Sequence, residues 1–280
     1  MIDCGTVKKI GILYHPKVEK TERFARGLFD FLRGKGIKCW VHSSWDEAGA
    51  RAVLGDSDLI VSVGGDGTIL RVARIIFPLG IPIVGVNFGN LGFMTELEAG
   101  EARDELELII HGEGWIDERV MLQARVGASG QVFHALNDVV VGRGKSLRLI
   151  NIDVSLDEDF FSTYRADAVI IATSTGSTGY MLAANGPVMY PESRDIIMKA
   201  VCPHLNMDKA IVLSPSTKIT LKVFTNHEAI VCMDGQVEET LQNGTEIEVS
   251  ITEKTTKFLR LRDKNSFYRT LTAKLNRKSL

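Results

Sequence analysis

From Lys9 to about Gly112 the chain alternates short, continuous apolar runs with longer segments whose apolar residues recur at helical spacing, and this alternation constrains the fold most. Ile10 to Tyr14 reads as a strand. Phe24, Leu28, Phe31 and Leu32 then fall at i, i+4, i+7 and i+8, one face of a helix, with Gly34 and Gly36 suited to its stop. Ile37 to Val41 reads as a second strand. Residues 59–63 and 81–86 are apolar almost throughout, as strands covered on both faces are. Between them Ile69, Val72, Ala73 and Ile76 form the inner stripe of a helix, and Ala102 to Ile110 is a last amphipathic stretch. Strands and helices alternating in this way predict a Rossmann-like α/β domain, a parallel sheet with helices on both faces.

After about Trp115 the rhythm changes. Leu122 to Val126, Val132 to Val141, Leu149 to Leu156, Ala168 to Ala172, Ile219 to Phe224, Ala229 to Met233 and Thr245 to Ile251 read as strands. Turns rich in Gly and Asn, such as 127–130 and 242–244, separate several of them. Only Ser193 to Ala200 reads as a helix in this half. Near the end, Leu271 and Leu275 lie four apart in a segment, Phe267 to Leu275, that reads as a helix returning to the first domain. The expected organisation is an α/β domain over residues 1–118, a mostly β domain over 119–261, and a tail, about 262–280, packed back on the first. The 280 residues suffice for two cores.

Composition narrows the class. The chain is 45% hydrophobic and 24% charged with a net charge of −2, ordinary globular proportions that point to neither nucleic acid nor membrane as partner. No run approaches the roughly 18 apolar residues of a membrane-spanning helix, and Met1 to Lys9 lacks the apolar stretch of a signal peptide. Cys4, Cys39, Cys202 and Cys232 form no CxxC pair and have no histidine at ligand spacing. They are expected to be reduced, mostly buried thiols of a cytoplasmic protein, with no disulfide and no zinc site.

The strongest local feature is Gly64-Gly65-Asp66-Gly67-Thr68, set between an apolar strand and a helical stripe. Glycines there allow close approach of a ligand to the main chain, and the carboxyl end of a parallel strand facing a helix N-terminus is where such sheets bind phosphates. The pattern is neither a Walker loop nor a G-x-G-x-x-G fingerprint. An aspartate in such a turn would repel phosphate unless it takes a proton from an attacking hydroxyl or helps to hold Mg²⁺. It could also simply cap the helix.

Further segments carry polar groups at strand ends. Asn137 and Asp138 interrupt an apolar run, either as ligand contacts or as a bulge or turn. The stretch from Arg165 and Asp167 through Thr173 to Tyr180 runs from a strand into a loop holding five hydroxyl residues, suited to phosphate or ribose, with Tyr180 available to stack on a base. Asn87 to Phe93 follows another parallel strand and should face the same crevice as Asp66, where its glycines and Phe93 could line a nucleotide pocket or pack a domain joint. Asp234-Gly235-Gln236 is too short to interpret by itself.

Taken together and in this order, these segments resemble the NAD kinase family across nearly the whole chain. A lone Gly-Gly-Asp-Gly also occurs in diacylglycerol-type lipid kinases and phosphofructokinases. Its combination with Asn90-Leu-Gly-Phe-Met-Thr95, Asn137-Asp-Val-Val140, Thr175-Gly-Ser-Thr-Gly-Tyr180 and the tail Asn265 to Leu275 is specific to NAD kinases. The resemblance implies that Asp66 is the base that activates the adenosine 2′-hydroxyl of NAD. It implies dinucleotide contacts at Asp66, Gly67, Arg71, Asn137, Asp138, Arg148, Arg165, Asp167, Thr178, Gly179, Tyr180, Met181, Leu182, Ala183 and Gln236, and Gly65, Asn87, Phe93, Thr175 and Asp234, from the segments around them, complete the set of candidate binding residues. The chain departs from the family where Asp138 replaces a frequent Glu, Ser174 a usual Pro, Gly179 a usual Ala, and Asn185 a usual Gly. None of these removes a group with an obvious chemical role.

The expected activity is phosphorylation of NAD to NADP by ATP or polyphosphate with Mg²⁺ or another divalent metal, without a dedicated protein cage for the ion. The resemblance also implies a homo-oligomer, dimer or tetramer. Two rivals remain at this stage, a lipid or sugar kinase sharing the glycine loop and a non-catalytic dinucleotide sensor.

Overall fold

The computed structural model describes residues 7–89, 92–127, 130–204 and 208–276. The chain forms two compact units, Met1–Glu118 together with Thr256–Leu280, and Arg119–Thr255.

The first unit begins with β1 (Lys9–Tyr14), α1 (Glu19–Gly34), β2 (Lys38–Ser43), α2 (Glu47–Leu54), β3 (Leu59–Gly64), α3 (Asp66–Ile76), β4 (Ile83–Asn87), β5 (Leu97–Glu98), α4 (Ala102–Ile110) and β6 (Trp115–Arg119). β1 pairs in parallel with β2 and β3, and β3 with β4, so Tyr14, Ser43, Gly64 and Asn87 end neighbouring strands at one edge of the sheet. β3 and β4 are buried along their whole length, which explains their unbroken apolar runs. Ile10, Ile12, Val61 and Val84 pack with Leu28 and Leu32 of α1 in the unit's core. The helical stripe read at 24–32 is therefore this packing face.

The second unit contains β7 (Leu122–Val126), β8 (Gln131–Ala135), β9 (Asp138–Arg143), β10 (Ile150–Leu156), β11 (Asp159–Ala166), β12 (Ala168–Ala172), a 3₁₀ turn (Thr175–Thr178), α5 (Tyr180–Ala183), β13 (Ile196–Val201), β14 (Ile211–Leu213), β15 (Ile219–Phe224), β16 (Ala229–Met233), β17 (Val237–Leu241) and β18 (Glu246–Ile251). They form two six-stranded sheets, ordered β11-β10-β15-β18-β7-β8 and β14-β13-β12-β9-β16-β17. One apolar cluster draws on both, with Leu122, Ile152 and Leu221 from the first and Val139, Ile171 and Val231 from the second. The chain then returns to the first unit as β19 (Thr256–Arg260), which pairs with β4, and α6 (Ser266–Asn276).

Three expectations change. Ser193 to Ala200 is not a helix, since Ile196–Val201 is strand β13. Ile196, Met198 and Ala200 enter the large core while Ile197 packs in a second apolar cluster on the opposite face, and a strand buried on both faces shows no period 2 to separate it from a buried helix. The single run read over Val132 to Val141 is two strands in different sheets, β8 and β9, broken at Leu136-Asn137. The cysteines are not mostly buried, because Cys39 and Cys232 are half-buried and Cys202 is exposed, all three as free thiols. Cys4 lies outside the described residues, as do Ala128 and Ser129 of one predicted turn. Among the described residues no helix is long and apolar enough to cross a membrane.

Candidate active site

In the first unit, β3 delivers Gly64 to the sheet edge, Gly65 caps α3 in an extended conformation, and Asp66 is the first helical residue. Its carboxylate does not cap its own helix. Oδ2 accepts the backbone N–H of Phe93 at 2.8 Å and Oδ1 that of Met94 at 3.1 Å. The loop after β4 thus holds the carboxylate in one orientation. A side chain at Gly92 would occupy the space of that carboxylate, which accounts for the glycine. Each carboxylate oxygen retains an unused lone pair, and the Asp66 side chain is 27% exposed.

Lys274 of α6 reaches this carboxylate, with Nζ 4.0 Å from Asp66 Oδ2 and 4.0 Å from the centroid of the Phe93 ring. Burial pulls the Lys274 ammonium below its ordinary value, and the charge of Asp66 partly opposes that shift. Phe93 also packs against Phe267 of α6, ring centroids 6.1 Å apart. Asn87 is turned to local bonds, its Nδ2 donating to Glu98 Oε1 at 3.3 Å and its Oδ1 accepting from Gly89 N at 3.2 Å. Asn90 and Leu91 of the predicted loop lie outside the described residues. Arg71, on α3, places its guanidinium 5.0 Å from the ring of Trp45. No local spacing or motif singles out Lys274 or Trp45.

In the second unit, Asp234 organises the break between β8 and β9. It holds a left-handed φ of 53°, and its carboxylate accepts the backbone N–H groups of Leu136 at 2.9 Å, Asn137 at 2.7 Å and Asp138 at 3.2 Å. Its own N–H donates to Asp138 O at 3.0 Å. The residue too short on context to interpret from sequence is the brace of the Asn137-Asp138 turn. Thr173 binds the same turn from the other side, Oγ1 donating to Leu136 O at 2.6 Å and its N–H to Asn137 O at 2.9 Å.

That bracing leaves two polar side chains in unusual states. Asn137 Oδ1 is buried with no hydrogen-bond partner among the described residues. A buried acceptor without a donor costs about 1–3 kcal/mol unless a ligand supplies one. Asp138 is only 5% exposed, and desolvation, followed by the charge of Asp234, raises its carboxyl to a pKa of about 7. A Cβ at Gly179 would lie 3.3 Å from Asn137 Nδ2, so these residues are neighbours.

The hydroxyl-rich loop is largely self-bonded. Ser174 Oγ donates to Pro191 O at 2.8 Å, Ser177 Oγ to Ser174 O at 2.6 Å and Thr178 Oγ1 to Thr175 O at 3.1 Å. Thr175 Oγ1 accepts from the buried Arg119 at 3.2 Å. Their composition reflects a folded turn more than a row of free donors. Tyr180 is 45% exposed while Met181 is buried, and Leu182 and Gln236 are half-buried with Ala183 exposed. Asp167 pairs with Arg143, Nε to Oδ1 at 2.5 Å. Arg148 and Arg165 come together elsewhere, lining an open cavity of about 530 Å³ with Phe224, Thr225, His227 and Asn243. Neither Asn137 nor Tyr180 lines that cavity.

Known proteins share this architecture. Residues 30–114 match the ATP-NAD kinase N-terminal domain and residues 136–261 the ATP-NAD kinase C-terminal domain. The NAD kinase of Dehalococcoides mccartyi strain CBDB1 is 42% identical over 272 residues, covering 96% of each chain. That of Chloroflexus aggregans is 36% identical over 274 residues, covering 97% of this chain and 99% of its own. A yeast NADH kinase complexed with NADH superposes with a TM-score of 0.88 at 23% identity over 98% of this chain and 89% of its own, a likeness of fold. An NAD kinase from Archaeoglobus fulgidus in complex with ATP gives a TM-score of 0.78 at 26% identity over 96% of this chain and 98% of its own. The chain belongs to the NAD kinase family.

Proposed function

We propose that this chain phosphorylates the adenosine 2′-hydroxyl of NAD, with ATP or polyphosphate as donor, and that Asp66 is the general base. The observation that carries this reading is the Asp66 carboxylate itself, fixed by the Phe93 and Met94 N–H groups at a strand end and still partly exposed. As the 2′-oxygen bonds to the γ-phosphorus, Asp66 takes the hydroxyl proton, the bond from that phosphorus to the bridging oxygen breaks, and the nucleoside diphosphate leaves with the electron pair. Fixing the base before the substrate arrives avoids the cost of orienting it during the reaction.

The dinucleotide contacts fall into two kinds. Asn137 Oδ1 offers an acceptor in need of a donor, and a protonated Asp138 can itself donate. Asp234 and the loop hydroxyls act one step back by holding those groups in place. Among the described residues no group of three or more His, Cys, Asp and Glu side chains forms a metal cage. A divalent cation such as Mg²⁺ is read as part of the substrate, carried on the donor phosphates, because Mg²⁺ commonly binds through substrate phosphates with few protein ligands.

The names of the relatives favour this acceptor over a lipid or sugar, and no feature of the site favours a sensor without turnover. A reducing, cytoplasmic setting suits the three free cysteines. A dimer or tetramer is part of the same proposal, and light scattering on the purified chain tests it. Formation of NADP from NAD and ATP, measured with and without Asp66→Asn, tests the reaction.

A further inference from the structure

The carboxyl edge of the first unit's sheet carries a second group of side chains, at the ends of β1 and β2, one and two strands away from β3 and Asp66. After β1 the chain runs through His15 and Pro16 to Lys17, and after β2 through Ser44 to Trp45. Backbone bonds tie both turns to the edge, His15 N donating to Val63 O at 3.1 Å and Ser44 N to Tyr14 O at 2.9 Å. Trp45 is 44% exposed, a large ring left open at the end of β2. Lys17 Nζ lies 4.2 Å and Arg71 Cζ 5.0 Å from its centroid, and His15 packs against it edge-on at 5.7 Å.

Two cations thus converge on one aromatic ring. Neither has a carboxylate within ion-pair distance among the described residues. Glu47, the acid that acts on Arg71 at longer range, is held by Arg51 at 3.1 Å and Arg74 at 3.5 Å. Burial and the nearby charge of Arg74 both work against the Arg71 guanidinium. Beside Trp45 in the chain, the hydroxyl of Ser44 is fully buried without a hydrogen-bond partner among the described residues. Cations gathered without acids are compensated when an anion enters, and guanidinium and ammonium groups both suit phosphate. Arg71 lies five residues after Asp66, about 7.5 Å of helix rise, within the reach of one phosphate chain.

We propose that Lys17, Arg71 and Trp45 form the phosphoryl-donor subsite, in which the two cations hold the phosphates of a nucleoside triphosphate and the indole stacks on its base. The assignment rests on the kinase reading of Asp66. NAD also carries a phosphate pair, and the family resemblance implied Arg71 as a dinucleotide contact. A triphosphate carries more negative charge, which better matches two cations without acidic partners, and Trp45 supplies a face for a second base.

Steady-state kinetics on the full chain separate the sources. Lys17→Ala, Arg71→Ala and Trp45→Ala should each raise KM for ATP about tenfold, the loss expected for one charge-assisted or stacking contact, with KM for NAD within about twofold of wild type. Inorganic triphosphate should compete with ATP, its inhibition weakening about tenfold in Lys17→Ala and Arg71→Ala but not in Trp45→Ala. Trp45→Phe keeps a stacking ring and should stay within about threefold of wild type for ATP, which separates lost stacking from lost folding. An unchanged KM for ATP in all three alanine variants, or a rise confined to KM for NAD, overturns the assignment. Wild-type protein that forms no NADP overturns the kinase reading and this assignment with it.

Discussion

Lys274 Nζ sits 4.0 Å from Asp66 Oδ2, the oxygen that also accepts the Phe93 N–H at 2.8 Å. The pair joins α6 to the first residue of α3, and the same ammonium rests on the Phe93 ring at 4.0 Å. An anionic donor approaching Asp66 therefore meets a carboxylate whose charge is partly balanced.

Removing that balance should slow donor use. Both groups are about a third exposed, so solvent screening limits the pair to about 1 kcal/mol. Lys274→Met is expected to lower kcat/KM for ATP about fivefold, and Lys274→Arg to restore it within about twofold. Initial rates at varied ATP, with NAD saturating, check both values. A Lys274→Met enzyme indistinguishable from wild type would reduce the contact to a packing detail of α6.

Asp138 makes the ligand-free protein sensitive to pH. Its carboxyl titrates at about 7 in the folded chain against an ordinary 3.8, so the folded state binds the proton more tightly than the unfolded state. Stability then falls as pH rises through that window, by at most roughly 4 kcal/mol at about 1.4 kcal/mol per unit. Wild-type Tm should drop by several degrees between pH 5 and pH 8. Asp138→Asn, which cannot ionise, should flatten that slope and melt higher than wild type at pH 8.

Gly92→Ala should separate catalysis from folding. The added methyl would meet Asp66 Oδ1 and Thr95 Oγ1, forcing the carboxylate out of its place between the Phe93 and Met94 amides. A displacement of about 1 Å at a reacting group can cost about a hundredfold in rate, while overpacking costs about 1–3 kcal/mol of stability. Turnover is expected to fall about a hundredfold, with calorimetric NAD affinity within about threefold of wild type. Wild-type turnover in this variant would mean that the Asp66 orientation is not important.

Much of the first unit is legible in the sequence because β1, β3 and β4 are short apolar runs and α1, α3 and α4 keep their stripes, whereas α2, the two-residue β5, the charged β6 and the returning β19 carry no such signal. The Gly64–Thr68 turn stood out because a carboxylate among glycines at a strand end needs a chemical reason. The second unit was harder. β13, buried on both faces, lost the alternation that marks a strand, and the hydroxyls of Thr173 to Thr178 suggested ligand contacts while their bonds close the loop on itself. Lys274 and Asp66 are 208 residues apart in sequence, and only the returning helix brings them together. Asp234, likewise, is about a hundred residues from the amides it accepts, a contact that no local spacing can announce.

In the proposed reaction Asp66 takes the proton of the 2′-hydroxyl. Its most direct test is NADP formation by the purified chain with NAD, ATP and Mg²⁺, compared with Asp66→Asn, which keeps the shape of the side chain and an acceptor oxygen. Wild type should form NADP robustly, and Asp66→Asn should lose about a hundredfold or more in kcat with NAD binding retained. An Asp66→Asn enzyme that turns over at the wild-type rate would contradict that role.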